Sequence, residues 1–281
     1  MPELPEVESI KKGLQATIIN RVITHVTINK PKIVSSSSNI RVINENKVEE
    51  FRSQTINSKI LDIKRVAKNL IIELSTGILI IHLKMTGQVV YGLEFANKHT
   101  CIDFILDDGK HLLYNDIRQF GYVLYFKSYE EAMSKGYLEG YGQDPYTTKL
   151  YPRVIHARLS KIKKPIKSVF FDQKVICGLG NIYADEVAFA SKILPTKIAN
   201  QLNYQEVELL TQSITSIIHD AVSKGGSSIS DYVLADGSRG SYANYHRVYG
   251  RKNQECVNCK TLLSHTKING RMTVYCHICQ S

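Results

Sequence analysis

The sequence predicts an α+β protein with an N-terminal antiparallel β-sandwich domain and a helical C-terminal domain that ends in a small hairpin. Three observations support this prediction. The chain has 281 residues, which suits two domains. Short β-rich segments recur at close spacing in the first half, whereas helical spacing of apolar residues prevails in the second. A stretch rich in glycine and tyrosine, interrupted by Asp144 and Pro145, separates the halves. We therefore predict an N-terminal domain, a linker, a helical domain and a C-terminal module at residues 1–140, 141–150, 151–245 and 246–281.

The first half begins with a predicted helix and continues as strands. Pro5 fits the first turn of a helix over about residues 5–17, with Val7, Ile10 and Leu14 on one face. Segments rich in apolar and β-branched residues then follow, several of them joined by short turns that suit hairpins. They lie at 22–28, 40–43, 60–66, 70–74, 78–83, 102–106 and 110–114. Many strands at this spacing indicate an antiparallel sandwich or a barrel, of which we predict the sandwich.

The second half contains one strongly amphipathic helix and, before it, a basic segment. A helix is predicted over 203–223, where Asn203 and Glu206 form a capping box and a glycine pair ends the helix. Four lysines give the earlier segment a basic face, namely Lys161, Lys163, Lys164 and Lys167. Residues 227–244 contain few large apolar side chains, so we expect a flexible loop there.

The net charge of +10 and the isoelectric point near 9.2 favour a polyanionic partner, most simply a nucleic acid. The alternative is a basic protein that has no such partner. Polar residues interrupt the longest apolar stretch, over 70–83, and the N-terminus is acidic and lacks an apolar core. We therefore expect neither a membrane span nor a signal peptide, and we expect a cytoplasmic location.

Four of the six cysteines stand in two Cys-x2-Cys pairs near the C-terminus, separated by sixteen residues. The pairs are Cys256 with Cys259 and Cys276 with Cys279. This spacing is typical of a site for one structural Zn²⁺, because four thiolates complete a tetrahedron and leave no position for water. The alternatives are a chance cluster or two disulfides, and His277 inside the second pair is a competing ligand. Between the pairs, Asn269 and Gly270 predict a tight hairpin turn that places Arg271 beside its tip.

The N-terminal stretch MPELPEVE suits covalent chemistry. A small residue in second place allows removal of Met1, which leaves Pro2 with a secondary amine. A free α-amino group has a pKa near ~8, so that a useful fraction is neutral at physiological pH. Such amines form Schiff bases with carbonyl carbons, and Glu3 beside it can move protons. The alternative is an ordinary terminus whose acidic residues only cap a helix.

Three stretches together resemble the formamidopyrimidine-DNA glycosylase family of bacterial base-excision repair enzymes. They are the N-terminal MPELPEVE, the internal GLGNIYADE at 178–186, and the cysteine hairpin with its arginine. The resemblance implies a helix–two-turn–helix element in the helical domain and a zinc-finger β-hairpin at the C-terminus. It also implies four catalytic residues: Pro2 as the nucleophile, Glu3 as a proton donor and relay, and Lys68 and Arg271 as holders of the phosphates around the lesion.

The resemblance further implies a set of residues that contact DNA. Met85, Arg118 and Phe120 match side chains that fill the gap left by an extruded base, and we call these three residues the wedge. Asn181 matches an asparagine that grips a phosphate. The remaining positions assigned to DNA contact are Glu6, His99, Lys163 and Lys167.

The sequence departs from the family pattern at four places. Lys84 and Lys260 stand where glycine is common, His277 stands where proline is common, and the segment 141–145 matches only loosely. The departure at Lys84 leaves open whether it alters the wedge. Those at Lys260 and His277 concern the shape of the hairpin rather than its existence.

The resemblance implies a bifunctional DNA glycosylase and abasic-site lyase that removes oxidised purines, namely 8-oxoguanine and formamidopyrimidines, from double-stranded DNA. The Schiff base at Pro2 activates the sugar for β,δ-elimination. We expect a monomer with one structural Zn²⁺ and no nucleotide cofactor. One alternative is the sister family that acts on oxidised pyrimidines, but Leu4 argues against it. The others are a non-catalytic zinc-ribbon DNA-binding protein and an RNA-binding zinc protein.

Overall fold

The computed structural model describes residues 1–35, 43–92 and 96–281 and divides into two compact units. The first unit combines Met1–Glu139 with Gly225–Ser241, and the second combines Gly140–Lys224 with Tyr242–Ser281. The sequence prediction placed residues 225–241 in the helical domain. In the structure they belong instead to the first unit, which is therefore discontinuous along the chain.

Two four-stranded antiparallel sheets form most of the first unit. One sheet has the strand order β1-β6-β7-β5 and the other has the order β2-β3-β4-β8. The strands are β1 (Ile23–Ile28), β2 (Ile60–Val66), β3 (Asn69–Leu74), β4 (Gly77–His82), β5 (Gly87–Gly92), β6 (Thr100–Leu106), β7 (His111–Asp116) and β8 (Tyr122–Phe126). One apolar core joins both sheets, since Val26 and Phe104 of the first cluster with Ile63 and Ile72 of the second. The predicted α+β class with antiparallel sheets is confirmed.

Sequence reasoning missed strands β5 and β8. Strand β5 starts and ends with glycine, which weakens its local signal, yet it pairs with β7 from Gly87 opposite Asp116 to Gly92 opposite His111. Its strand character therefore depends on a partner that is distant in sequence. The strand predicted at 40–43 lies outside the described residues, apart from Ile43.

Helix α1 (Leu4–Gln15) packs Val7, Ile10 and Leu14 into the core of the first unit, as their spacing predicts. Pro5 lies in its first turn, and the Glu6 carboxylate accepts a hydrogen bond from the Glu3 backbone N–H at 2.7 Å. The remaining helices of this unit are α2 (Lys32–Ser35), α3 (Glu45–Thr55) and α4 (Tyr129–Ser134).

Backbone contacts attach residues 225–241 to the first unit. The Tyr232 hydroxyl donates to the backbone carbonyls of Glu6 at 3.2 Å and Gly225 at 2.9 Å. The Gln88 side-chain amide donates to the Asp231 carbonyl, and the Tyr91 N–H donates to the Ala235 carbonyl at 2.7 Å. The segment that sequence reasoning expected to be a flexible loop is therefore fastened to α1 and β5 at several points.

The second unit contains four α-helices and one hairpin. They are α5 (Pro152–Leu159), α6 (Ile166–Asp172), α7 (Asn181–Ala190), α8 (Tyr204–Ser223), β9 (Ser264–Ile268) and β10 (Arg271–Tyr275). The capping box predicted for α8 is confirmed, because Asn203 and Glu206 each accept the other's backbone N–H at 2.9 Å. The hairpin turn has the left-handed backbone expected for Asn269 and Gly270, with φ of 50° and 72°.

Residues 141–150, predicted as a linker, pack within the second unit. The Gly142 N–H donates to the Gln173 carbonyl at 2.7 Å, and the Gln143 N–H donates to the Val175 carbonyl at 3.0 Å. A Cβ at Gly142 would lie 2.3 Å from the Val175 backbone, so glycine permits this close approach. None of the helices in the described ranges is both long enough and apolar enough to cross a membrane.

Candidate active site, DNA-contacting residues and metal centre

The predicted nucleophile lies at the start of α1 among buried acidic residues. Pro2 is buried, and Glu3 and Glu6 are each 1% exposed. One Glu6 oxygen accepts the Glu3 N–H at 2.7 Å, and the other accepts the Ser227 N–H at 2.8 Å. Glu6 was assigned to DNA contact, but its carboxylate is enclosed and bonded to the chain's own backbone. Glu6 therefore has an internal role in the structure, because its carboxylate holds the backbone N–H of Glu3, the residue after Pro2.

Lys68 lies in the two-residue turn between β2 and β3, where Ala67 has a left-handed φ of 53°. Arg65 at the end of β2 donates to the Ala67 carbonyl at 2.9 Å and to the Glu8 carboxylate at 2.7 Å. The Arg65 and Glu8 side chains are 0% and 1% exposed. This ion pair ties the turn that carries Lys68 to the helix that begins after Pro2, so the first unit holds both in one rigid frame.

The wedge residues lie on two neighbouring loops and touch each other. Met85 and Phe120 are 45% and 44% exposed, which is unusual for large apolar side chains. The Arg118 guanidinium donates to the Met85 sulfur at 3.2 Å, and its central carbon lies 5.1 Å from the centre of the Phe120 ring. The structure thus brings together the three residues that the resemblance assigned to one task.

A buried carboxylate, Asp116, connects the two wedge loops. Asp116 is 1% exposed, and one of its oxygens accepts the Thr86 hydroxyl at 2.5 Å and the Arg118 N–H at 3.1 Å. The other oxygen accepts the Gly121 N–H at 2.9 Å and the Tyr114 hydroxyl at 3.3 Å. Sequence reasoning missed this residue, which ends strand β7 two residues before Arg118, because its hydrogen-bond partners lie on two loops that meet only in the folded chain.

Next to the wedge, His82 and two lysines form a strongly basic neighbourhood. His82 Nδ1 accepts the Lys84 backbone N–H at 3.0 Å, so the neutral ring carries its proton on Nε2. Burial, followed by the charges of Lys84 and Lys68, lowers the pKa of His82 to about 3. His99, assigned to DNA contact, is half-buried and lines a cavity of about 410 Å³ with Thr86 and Ile117. These groups all lie in the first unit.

In the second unit, Asn181 begins α7 directly after a turn that contains Gly178 and Gly180. The positive end of the helix dipole at this terminus suits an anion. The Asn181 side-chain oxygen is buried and has no hydrogen-bond partner among the residues the structure describes. Gln173 fixes the preceding loop, because its amide donates to the Leu179 carbonyl at 2.8 Å and accepts the Gly178 N–H at 2.7 Å. Sequence reasoning did not identify Gln173, which follows α6 with a left-handed backbone φ of 62°.

The two lysines assigned to DNA contact differ in the structure. Lys163 is exposed and remains available to a polyanion. Lys167 is 0% exposed, and its ammonium donates to Asp185 at 2.6 Å, to the Thr273 hydroxyl at 2.9 Å and to the Met272 carbonyl at 3.1 Å. The expectation that Lys167 faces DNA is therefore not met. Its charge is used inside the second unit, where it links α6 and α7 to strand β10.

This buried pair positions the strand that begins with Arg271. The second Asp185 oxygen accepts the Val274 N–H at 3.2 Å, so the pair binds three consecutive residues of β10. Arg271 itself is exposed beside the hairpin turn, with its guanidinium carbon 4.6 Å from the centre of the Phe171 ring. Glu186 is fully buried nearby in α7 and accepts three consecutive backbone N–H groups, from Arg247 to Tyr249.

The four predicted metal ligands converge at the base of the hairpin. Their sulfur atoms all lie within 4.8 Å of one another, with Cys256–Cys279 at 3.8 Å and Cys259–Cys276 at 3.4 Å. Zn–S bonds of about 2.3 Å in a tetrahedron place the sulfurs about 3.8 Å apart, so the cluster fits one such ion. His277 does not compete for it here, since its Nδ1 pairs with the Ser264 hydroxyl at 2.9 Å.

Comparisons with known proteins cover nearly the whole chain. Residues 1–123 match the formamidopyrimidine-DNA glycosylase N-terminal domain, and residues 141–233 match the formamidopyrimidine-DNA glycosylase H2TH domain. Formamidopyrimidine-DNA glycosylase of Bacillus cereus is 37% identical over 282 residues, covering 100% of this chain and 99% of that protein. The enzyme of Rickettsia conorii is 34% identical with 100% and 99% coverage.

Solved structures agree with the sequence relatives. Lactococcus lactis Fpg in complex with DNA that contains N7-benzyl-Fapy-dG has a TM-score of 0.88 and 31% identity, covering 99% of each chain. The complex of Lactococcus lactis Fpg with abasic-site DNA has a TM-score of 0.88 and 30% identity at the same coverage. Fold and site thus define a DNA repair glycosylase with a helix–two-turn–helix domain. The chain belongs to the formamidopyrimidine-DNA glycosylase family.

Proposed function

We propose that this protein is a bifunctional DNA glycosylase and abasic-site lyase that excises 8-oxoguanine and formamidopyrimidines from double-stranded DNA. The observation that carries the proposal is the arrangement of the chain start. Pro2 and Glu3 are buried at the head of α1, and the Glu6 carboxylate holds the backbone there. The family model begins at residue 1, the curated relatives are named formamidopyrimidine-DNA glycosylase, and a solved relative is in complex with DNA that contains N7-benzyl-Fapy-dG.

The proposed reaction begins after removal of Met1, when the Pro2 amine attacks C1′ of the damaged nucleotide. The C1′–N bond to the base breaks, and the base leaves with the bonding electrons and receives a proton relayed by Glu3. The sugar ring opens to a Schiff base between Pro2 and C1′. Loss of a C2′ proton then expels the 3′ phosphate, and a second elimination expels the 5′ phosphate. Water hydrolyses the Schiff base and frees the enzyme.

The remaining residues bind and position the substrate. The wedge occupies the space of the extruded base and offsets part of the lost stacking, which costs a few kcal/mol per flipped nucleotide. Lys68 and Arg271 hold the phosphates that flank the lesion, and Lys163, His99 and Asn181 contact the DNA elsewhere. The four cysteines hold one structural Zn²⁺, which keeps the Arg271 hairpin folded and takes no part in bond breaking.

Borohydride trapping tests the proposal. Wild-type protein incubated with an 8-oxoguanine duplex and borohydride should form a covalent adduct, and peptide mass spectrometry should locate it on Pro2 with Met1 absent. Pro2→Gly should reduce the adduct strongly, because it exchanges the secondary amine for a less preorganised one. Wild-type protein that binds the damaged duplex but never forms an adduct would refute the lyase reaction.

A comparison of substrates tests the specificity. Single-turnover cleavage should be much faster on 8-oxoguanine and formamidopyrimidine duplexes than on a thymine glycol duplex. The reverse order would indicate the sister activity on oxidised pyrimidines. We further propose that the enzyme acts as a cytoplasmic monomer without a nucleotide cofactor, which light scattering of the active protein and activity in cofactor-free buffer would check.

A further inference from the structure

Arg239 links the end of residues 225–241 back to their beginning. Its guanidinium donates through Nη2 to the backbone carbonyls of Ser228 at 3.0 Å and Ser230 at 3.2 Å. The next residue adds a third bond, because the Gly240 N–H donates to the Ser228 hydroxyl at 2.9 Å. Arg239 is exposed, yet its guanidinium binds the protein's own backbone, so it restrains the stretch from Ser228 to Ser230.

The restrained stretch begins beside the predicted nucleophile. Ser227 and Glu3 donate their backbone N–H groups to the two oxygens of one carboxylate, that of Glu6, at 2.8 Å and 2.7 Å. Because both N–H groups bind the same carboxylate, Ser227 lies close to the chain start that carries Pro2. A base attached to the sugar carbon that Pro2 attacks has to lie next to this part of the chain. Residues 228–230, which continue from Ser227, are therefore placed to border such a base.

Ile229 lies between the two residues whose carbonyls Arg239 binds. Its side chain is 50% exposed, whereas Ser227 and Ser228 before it are 4% and 9% exposed. The planar peptides before Ile229 and after Ser230 are held by the same nitrogen atom, which limits the backbone freedom between them. Enzymes that extrude a base hold it by hydrogen bonds to its edge and by stacking against apolar side chains. An exposed isoleucine on a restrained backbone, beside the predicted nucleophile, suits the second of these contacts.

We propose that Arg239 is a positioning residue for base excision, which holds Ile229 where it packs against the extruded base while Pro2 attacks C1′. The inference rests on the proposed function, because it takes base extrusion and the Pro2 reaction as given. Arg239 acts through residues 228–230 and touches no reacting atom. Since the clamp is already formed in the free protein, the substrate does not have to order this stretch when it binds. Arg239 should therefore matter only for substrates that still carry a damaged base.

Two duplexes test the proposal, one that contains 8-oxoguanine and one that contains a preformed abasic site. Only the first carries a base for Ile229 to contact. In Arg239→Ala, single-turnover excision of 8-oxoguanine should slow by about tenfold or more, because the base is held less accurately during the attack. Strand cleavage at the abasic site should change by less than about twofold, since Pro2 reacts there without a base. A variant that keeps the wild-type rate on 8-oxoguanine, or that slows equally on both duplexes, would overturn the proposal.

A matched control for the lost positive charge is Arg21→Ala. Arg21 is 41% exposed and belongs to the same unit, and its guanidinium lies 3.7 Å from the Asp107 carboxylate and 3.6 Å from the Asp108 carboxylate. Its removal takes the same charge from the protein but leaves residues 228–230 restrained. Arg21→Ala should therefore keep the wild-type rates on both duplexes. If it shows the same selective loss on 8-oxoguanine, the effect comes from net charge and the clamp is refuted.

Hydrogen exchange in the free protein measures the restraint itself. The amides of residues 229–231 should exchange faster in Arg239→Ala than in wild type, whereas those of α1 should exchange at the wild-type rate. Unchanged exchange at residues 229–231 would show that Arg239 does not order this stretch.

Ile229→Ala tests the same contact with Arg239 intact, and it serves alone if Arg239→Ala does not fold. It should reproduce the selective loss on 8-oxoguanine, because the apolar surface against the base is reduced. Wild-type rates on both duplexes, or an equal loss on both, would overturn the proposal. Borohydride trapping of wild-type protein on the abasic duplex reports separately on the proposed function, since that reaction needs no base.

Discussion

The wedge and the Arg271 hairpin both present exposed side chains, but different interactions support them. In the first unit, the Asp116 carboxylate joins the wedge loops through four hydrogen bonds at the end of a well-paired sheet. In the second unit, the Lys167–Asp185 ion pair holds strand β10, and four cysteines fit a metal ion below it. The hairpin is therefore supported by a buried ion pair and by a cysteine cluster that fits one metal ion, since two strands alone are only marginally stable.

This difference between the two supports indicates where a single substitution should reduce stability most. Removing one member of a buried ion pair leaves an uncompensated charge, whereas weakening a hydrogen-bonded carboxylate leaves neutral groups unpaired. We therefore expect the hairpin to be more sensitive than the wedge. Three measurements would break or sharpen this contrast.

Lys167→Met should have the largest effect. It leaves the Asp185 carboxylate buried without its cation, and the free energy of unfolding should fall by about 3–5 kcal/mol. Denaturant unfolding followed by circular dichroism measures the loss, and hydrogen exchange should locate it in β10 and α7. The control is Lys163→Met, an exposed lysine in the same segment, which should change stability by no more than about 0.5 kcal/mol. Equal losses in the two variants would mean that the pair does not support the hairpin.

Asp116→Asn should have an intermediate effect. The amide nitrogen cannot accept hydrogen bonds from Gly121 N–H or the Tyr114 hydroxyl, which should cost about 1–3 kcal/mol. The wedge loops should loosen, and base extrusion measured with 2-aminopurine next to the lesion should slow. Asp107→Asn in the turn between β6 and β7 offers a control, since that side chain is 39% exposed and its carboxylate lies 3.7 Å from the Arg21 guanidinium. Unchanged extrusion in Asp116→Asn would show that the wedge does not depend on this carboxylate.

The effect that is smallest near neutral pH comes from the titration of His82, because it develops only as the pH falls below about 6.5. The pKa of His82 is lowered to about 3, so the unfolded chain binds a proton below about pH 6.5 that the folded chain refuses. His82 therefore stabilises the fold above pH 6.5, and this contribution is lost as the pH falls towards 3, by at most about 1.4 kcal/mol per pH unit. His82→Gln should flatten the acid limb of a stability–pH curve, while His25→Gln at an exposed position should not. If wild type, His82→Gln and His25→Gln lose stability equally as the pH falls, the lowered pKa of His82 is contradicted.

Features that depend on short stretches of sequence were predictable. The capping box of α8, the turn at Asn269-Gly270 and the convergence of the four cysteines all follow from residue types at fixed local spacing. The wedge was also predictable, but only through resemblance to a family. Nothing in the spacing of Met85 and Phe120 distinguishes them from core residues.

Features that depend on distant partners were not predictable. The charge of Lys167 looked like part of a solvated basic face, because its partner Asp185 lies in another helix and its other acceptors lie in β10. Glu6 looked like a helix-capping acid beside a DNA site, and its bond to Ser227 spans 221 residues. The same limitation hid Asp116, whose importance comes from two loops that meet only in the folded chain.

The attachment of residues 225–241 to the first unit has a consequence for how this molecule can be divided. A fragment cut at residue 139 would lack the segment that caps Glu6 and accepts hydrogen bonds from Gln88 and Tyr91. The N-terminal portion is therefore not an autonomous building block of the polypeptide. Residues 225–241 are synthesised only after helices α5 to α8 of the second unit. During translation, the first unit therefore cannot be completed until this segment has been made.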